Sequence, residues 1–105
     1  MEAKDLGSSL SDFGGSEFGP PKQPGVYVVC EVNMINGREV CHYIGSSKNI
    51  YKRVMNSCHI YRCLYDNAQW PSVVYTKWIV TDDYAAIEKR AIRSIRPRRN
   101  IAHNG

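Results

Sequence analysis

Residues 25–45 read GVYVVCEVNMINGREVCHYIG, and this stretch decides the fold class. Its two ends, residues 25–32 and 39–45, are rich in β-branched and aromatic side chains, which favour strands. Between them lies the pair Asn36-Gly37, which is a common turn in hairpins. The sequence therefore predicts a β-hairpin over residues 25–45.

The register of this hairpin has two alternatives. If Asn36 and Gly37 form a two-residue turn, the side chains of Tyr27 and Tyr43 point to opposite faces of the sheet. If residues 35–37 form a three-residue loop with a left-handed Gly37, or if a β-bulge has the same effect, both tyrosines share one face.

The rest of the chain predicts alternating helices and one more strand. The apolar residues Ile50, Val54, Met55 and Cys58 have helical spacing and predict a helix over residues 47–58, capped by Ser47 or Asn49. A short helix is expected over residues 59–66 and a strand over residues 72–80. A last helix is expected from Asp83 to Ile95, with Asp82 as its cap and Pro97 beyond its end.

The order β-β-α-(α)-β-α predicts an α+β fold in which helices flank a small three-stranded antiparallel sheet. Residues 1–24 are rich in Gly, Ser and Pro and predict a flexible arm, so the folded domain is expected over residues 25–105. Because no apolar run resembles a membrane span or a signal peptide, we expect an intracellular protein with no membrane partner.

The charge of the chain points to a polyanionic partner. The formal net charge is +4, and residues 25–105 carry twelve basic and six acidic side chains. The junction at residues 45–47 predicts free backbone N–H groups at the start of the following helix, which suit a phosphate. The alternative is an ordinary basic surface in contact with water.

The four cysteines are expected to be reduced and to act as small buried thiols. They are Cys30, Cys41, Cys58 and Cys63. Two of them precede a histidine, so a zinc site is the alternative interpretation. Their spacing matches no common zinc module, which favours the first interpretation.

The last predicted helix has one carboxylate, that of Glu88, on its otherwise apolar face. At helical spacing, one apolar stripe contains Tyr84, Glu88, Ala91, Ile92 and Ile95. A buried carboxylate is costly unless it has a partner, so Glu88 has two interpretations. It forms an ion pair with an arginine such as Arg53, or it is a metal ligand or acid–base group.

Five sequence elements together resemble the GIY-YIG nuclease domain. GVY at residues 25–27 and YIG at residues 43–45 resemble the paired signature of that family. Arg53 follows ten residues after Tyr43, Glu88 lies inside the last helix, and Asn100 ends the basic stretch RPRRN. The resemblance covers residues 25 to about 101, nearly all of the predicted domain.

The resemblance implies a metal-dependent endonuclease that hydrolyses phosphodiester bonds in DNA. Tyr27 and Tyr43 would share one face and would position or deprotonate the attacking water. Arg53 would bind the scissile phosphate, and Glu88 would hold a single divalent ion, Mg²⁺ or Mn²⁺. Asn100 would orient Glu88 or the edge of the sheet.

The sequence departs from the family pattern at the expected proton-transfer position. Many members carry His or Tyr four residues after the arginine, where this chain has Ser57. His59 is the favoured replacement and Tyr61 the other. Ser46 follows YIG, where a number of members have lysine. An alternative function is therefore a nucleic-acid-binding module of the same fold with little or no catalysis, and a structural domain ranks third.

The expected DNA contacts are basic side chains that bind phosphates without reading bases. They are Lys48, Lys52, Arg93, Arg96, Arg98 and Arg99. Because the domain is small, binding is expected to be weak and salt-sensitive. Specificity would then come from DNA structure, from a homodimer or from a partner protein.

Overall fold

The computed structural model describes residues 6–15 and 19–99. Its strands are β1 (Gly25–Asn33), β2 (Glu39–Ser47) and β3 (Ser72–Val80). Its helices are α1 (Ile50–Lys52), α2 (His59–Asn67) and α3 (Tyr84–Ile95). A π-helical segment (Arg53–Ser57) continues α1, and a short 3₁₀ helix (Leu10–Asp12) precedes the sheet.

The three strands form one antiparallel sheet in the order β2-β1-β3, which confirms the predicted α+β fold. The central strand β1 is buried on both faces because helices cover both sides of the sheet. On one face Val26, Val28 and Ile44 pack with Ile87 and Ala91 of α3. On the other face Tyr27 and Val29 pack with Ile50, Val54 and Cys58. The alternation along β1 therefore separates two apolar cores.

Of the two predicted caps for the helix that follows the hairpin, Asn49 is the one observed. Strand β2 continues through Ser47, and α1 begins at Ile50 with Asn49 as its cap, since the Asn49 side chain accepts the N–H of Lys52 at 3.0 Å. The N–H groups of Ile50 and Tyr51 both donate to backbone carbonyls of residues 21–23 at 2.9 Å. The predicted phosphate site on free N–H groups is therefore wrong, because these donors already have partners.

The π-helical turn changes which side chains of this helix face the core. Ile50, Val54 and Cys58 are buried as predicted, whereas Met55 is 42% exposed. Its predicted place on the apolar stripe is therefore wrong. Segments of π-helix occur often at functional sites, and here the segment begins at Arg53.

The last helix has the predicted length but a different cap. Asp83, not Asp82, is its N-cap, and the Asp83 side chain makes no capping hydrogen bond. Instead, the backbone N–H of Asp83 donates to the hydroxyl of Thr81 at 3.1 Å. The helix ends at Ile95, and Arg96 follows in the left-handed conformation with φ of 57°.

Residues 6–15 pack on the sheet and α3, where the sequence predicted part of a flexible arm. Phe13 is 4% exposed and lies in the core beneath α3. Gly14 exchanges two backbone hydrogen bonds with Trp78 of β3, at 2.7 and 3.0 Å. Arg90 also donates to the carbonyl of Leu6 at 2.9 Å. These contacts outweigh the flexibility expected from a Gly- and Ser-rich composition, because burial of one phenylalanine is worth roughly 2 kcal/mol.

The cysteines are all free thiols, as predicted. Cys30, Cys41 and Cys58 are buried, but Cys63 is exposed on α2, so the prediction of burial is wrong there. None of the helices in residues 6–15 and 19–99 has the length and apolar character needed to cross a bilayer.

Candidate active site

A β-bulge brings the two signature tyrosines to one face of the sheet. Asn33 pairs with Arg38 across a four-residue loop, in which Gly37 is left-handed with φ of 74°. This loop alone would place Tyr27 and Tyr43 on opposite faces. The register shifts at Val29 because His42 is an extra residue in β2, so Val29 pairs with Tyr43. The bulge therefore confirms the prediction that both tyrosines share a face.

The two tyrosine rings are in contact on the side of the sheet that α1 and α2 cover. Their centroids are 6.2 Å apart, and the Tyr27 side chain is 1% exposed. Burial raises the pKa of Tyr27 well above its usual range, and a hydrogen bond with the buried thiol of Cys58 adds to the shift. Burial also raises the pKa of the half-buried Tyr43, which is hydrogen-bonded to Tyr27. Both phenols are thus held in the neutral form at physiological pH.

Because Gly45 has no side chain, the ring of Tyr27 can pack directly against the backbone of β2. A Cβ atom at this position would come within 2.5 Å of the Tyr27 hydroxyl oxygen and 2.9 Å of Cε2 of Tyr43. The glycine of YIG is required here for close approach of the rings to the backbone of β2, while its φ is not in the left-handed region.

Arg53 lies close to both tyrosines but is itself exposed. Its positive charge lowers the pKa of Tyr27 and of Tyr43, against the larger effect of burial. With Lys48 and Lys52 it lines a surface depression of about 310 Å³. Arg53 therefore lies between the tyrosine pair and a depression that carries two further cationic side chains.

Glu88 reaches the same end of β2 from the opposite face of the sheet. The hydroxyl of Ser46 donates to its Oε1 atom at 2.6 Å, and the carboxylate is half-buried. Its negative charge also raises the pKa of Tyr43, so the two side chains are near each other across β2, which lies at the edge of the sheet. In the described part of the chain, Glu88 forms no ion pair with Arg53 or another cation. The ion-pair interpretation of Glu88 is therefore wrong for these residues.

The donor set at Glu88 fits a divalent ion held by one protein carboxylate. Within residues 6–15 and 19–99, no group of three or more His, Cys, Asp or Glu side chains is arranged to bind a metal. Magnesium commonly binds through one or two carboxylates and completes its shell with water and substrate phosphate. Ser46 fixes one oxygen of Glu88 and leaves the other for such an ion, a feature that sequence reasoning missed. Asn100 lies outside the described residues.

The candidates for proton transfer both lie on α2, beyond Ser57. His59 is exposed at the start of the helix and lines a depression of about 260 Å³ with Ser57, Cys58 and Arg62. Tyr61 is half-buried, and burial raises the pKa of its phenol, with smaller effects of Tyr65 and Cys58. His59 therefore remains the better placed of the two for proton exchange with solvent.

The basic residues predicted to contact DNA fall into two groups. Lys48 and Lys52 lie beside Arg53. The other group follows α3: Arg93, Arg96, Arg98 and Arg99 are all exposed. The backbone N–H groups of Arg98 and Arg99 donate to the carbonyls of Cys41 and His42, so these two residues are fixed along the free edge of β2. Arg93 lines a separate depression with Lys89 and Arg90, so the second group is spread over α3 and the segment that follows it.

Comparison of the chain with protein-family models, curated proteins and solved structures gave no match.

The neutral phenol of Tyr27 predicts a loss of stability at alkaline pH. Below pH 10 the phenol is protonated in both the folded and the unfolded chain. Above pH 10 only the unfolded chain releases the proton, so each further pH unit should favour unfolding by up to about 1.4 kcal/mol. Urea denaturation between pH 8 and about 11.5 measures this slope.

The variant Tyr27→Phe should reduce the slope of stability against pH, although Tyr43, Tyr61 and the buried thiol of Cys41, whose pKa values are also raised, retain part of it. Tyr51→Phe is the matched control because the Tyr51 ring is exposed on α1. An equal slope in wild type and Tyr27→Phe would contradict the burial of a neutral phenol at this position.

Proposed function

We propose that the protein is a metal-dependent endonuclease of the GIY-YIG type that hydrolyses phosphodiester bonds in DNA inside the cell. The observation that supports this proposal is that Tyr27 and Tyr43 contact each other beside Arg53 on one face of the sheet, while Glu88, bonded to Ser46, reaches the same end of β2 from the other face. These residues come from two strands and two helical segments, and simple core packing requires neither the exposed arginine nor the half-buried carboxylate.

Arg53 binds the scissile phosphate in this proposal. A guanidinium matches two phosphate oxygens and offsets the negative charge that develops during phosphoryl transfer. Lys48 and Lys52 lie in the same depression and hold neighbouring phosphates, which suits a backbone-tracking contact.

The tyrosines position the attacking water as neutral phenols. Tyr27 is too deeply buried to lose its proton at neutral pH, so its part is to orient Tyr43 through their hydrogen bond. Tyr43 is half-buried and near both Arg53 and Glu88, so its hydroxyl can hydrogen-bond to water beside the phosphate. His59 takes up the proton at the edge of the site.

Glu88 would hold the metal through its free carboxylate oxygen, while Ser46 fixes the other. A bound Mg²⁺ or Mn²⁺ would supply Lewis-acid stabilisation of the phosphate and of the leaving oxygen. A single protein ligand implies weak metal binding in the absence of DNA.

Nicking of supercoiled plasmid in Mg²⁺ tests the proposal. We expect wild type to nick, EDTA to abolish nicking, and Arg53→Ala to reduce the rate by about 100-fold through lost phosphate stabilisation. Arg53→Lys should recover only part of this loss, because an ammonium lacks the planar fork. Arg38→Ala is the matched control, since Arg38 is an exposed arginine in the hairpin loop.

A second candidate function is DNA binding without catalysis. Ser57 favours it, because this serine occupies the position where a His or Tyr is expected to transfer the proton. In that case wild type would not nick, although Arg53→Ala would still weaken DNA binding. Equal nicking by wild type and Arg53→Ala would contradict the proposed phosphate site.

A further inference from the structure

Three surface depressions that share lining residues follow one another along the helices that cover the tyrosine face. The first contains Lys48, Lys52 and Arg53, and Ser57 joins it to the second. Arg62 and Met55 then join the second to a third depression of about 360 Å³. We call this surface the α1–α2 groove and define it by Lys48, Lys52, Arg53, Tyr61, Arg62 and Tyr65.

The chemistry of the α1–α2 groove changes along its length. One end is cationic, whereas the other presents the rings of Tyr61 and Tyr65, whose centroids are 5.7 Å apart. Tyr65 is 59% exposed, so the core does not explain its position. The only acidic side chain that lines the groove in the described structure is Asp66, at the aromatic end.

We propose that the α1–α2 groove binds an unpaired strand of DNA, with phosphates on its cationic end and a base stacked on Tyr65. Exposed aromatic rings beside a positive groove are the common means of binding single strands, because every base has a face that can stack. A continuous duplex could use the cations but could not offer a base to Tyr65, since its bases are stacked within the helix.

This inference rests on the proposed function and narrows its substrate class. Arg53 belongs both to the α1–α2 groove and to the candidate active site, so a strand held in the groove passes the site. The preferred substrate would therefore contain an unpaired segment next to the bond that is cut, in place of uniform duplex.

The test is DNA binding in EDTA, where cleavage does not occur. Fluorescence anisotropy would compare a single strand of about 16 nucleotides with a blunt duplex of the same length. We expect Tyr65→Ala to weaken single-strand binding about tenfold and to change duplex binding less than about twofold. Tyr65→Phe should bind like wild type, because the ring is retained.

Trp70→Ala is the matched control, since Trp70 is an aromatic side chain with 73% exposure that does not line the groove. If Tyr65→Ala binds single strands as wild type does, or weakens both DNA forms equally, the inference is overturned. If nicking depends on Arg53 but Tyr65→Ala leaves single-strand binding unchanged, the inference is overturned and the proposed nuclease function is not. Tyr65-dependent single-strand binding without nicking would support the inference and count against the nuclease.

Discussion

Replacement of Glu88 with glutamine is expected to lower Mg²⁺-dependent plasmid nicking by about 1000-fold or more, because the metal loses its protein ligand. The glutamine oxygen can still accept the hydrogen bond from Ser46, which wild type makes at 2.6 Å. The variant should therefore fold normally and bind DNA as well as wild type does, since Arg53 and the lysines are unchanged. Nicking rates over a Mg²⁺ titration measure the effect.

Glu39→Gln is the matched control for this variant, because Glu39 is an exposed acid at the start of the same strand β2. It removes one negative charge without approaching the site. If Glu88→Gln nicks at the wild-type rate at every Mg²⁺ concentration, the metal is bound elsewhere or the activity belongs to a contaminant. A loss of folding in Glu88→Gln, measured by circular dichroism, would contradict the expectation that glutamine keeps the contact with Ser46.

The strands and helices could be predicted from the sequence because their patterns are local. The β-branched runs around Asn36-Gly37 correctly predicted a hairpin, and the apolar spacing of residues 84–95 predicted the last helix. The choice between Ser47 and Asn49 as the cap of α1 could not be made this way. The N–H groups at the start of α1 pair with carbonyls of residues 21–23, a contact between segments that no local pattern records.

The register of the hairpin also could not be predicted from local patterns, and it decides where the two tyrosines of the site lie. The sequence allowed both arrangements of Tyr27 and Tyr43, since turn length and bulges exchange freely in such hairpins. The deciding feature is an extra residue in β2, His42, which is buried and bonds to Glu31 at 2.8 Å. That contact joins residues 11 positions apart across the hairpin, so the spacing of apolar residues within either strand does not reveal it.

Ser46 and Cys58 are the site neighbours that sequence reasoning did not identify. The helical position of Glu88 indicated that its carboxylate needed a partner, but nothing in the spacing of residues pointed to the hydroxyl of Ser46. Cys58 was correctly predicted as a buried thiol, yet its hydrogen bond with Tyr27 depends on the π-helical turn before it. Both contacts join residues from different elements, so spacing along the chain does not reveal them.

Replacement of Gly45 with alanine is expected to destabilise the fold by about 3 kcal/mol, because the new Cβ would overlap a ring that has no room to move. That Cβ would lie 2.5 Å from the hydroxyl oxygen of Tyr27 and 2.6 Å from its Cζ. Tyr27 is 1% exposed and packs against Val29 and Ile50, so its ring cannot turn aside cheaply. Urea denaturation measures the change.

Gly14→Ala is the matched control, since a Cβ at Gly14 would meet no atom within 4 Å. It should change stability by less than about 0.5 kcal/mol. A similarly small change in Gly45→Ala would contradict the ring packing.

The variant Gly45→Ala also distinguishes two roles of Gly45, one in the stability of the sheet and one in the position of Tyr43 in the site. At a temperature where Gly45→Ala is still folded, the overlap also reaches Cε2 of Tyr43, at 2.9 Å, so the phenol beside Glu88 should move. Nicking should then fall more than the folded fraction does. A loss of activity in strict proportion to the folded fraction would mean that the glycine serves the sheet alone, and that Tyr43 tolerates displacement during the reaction.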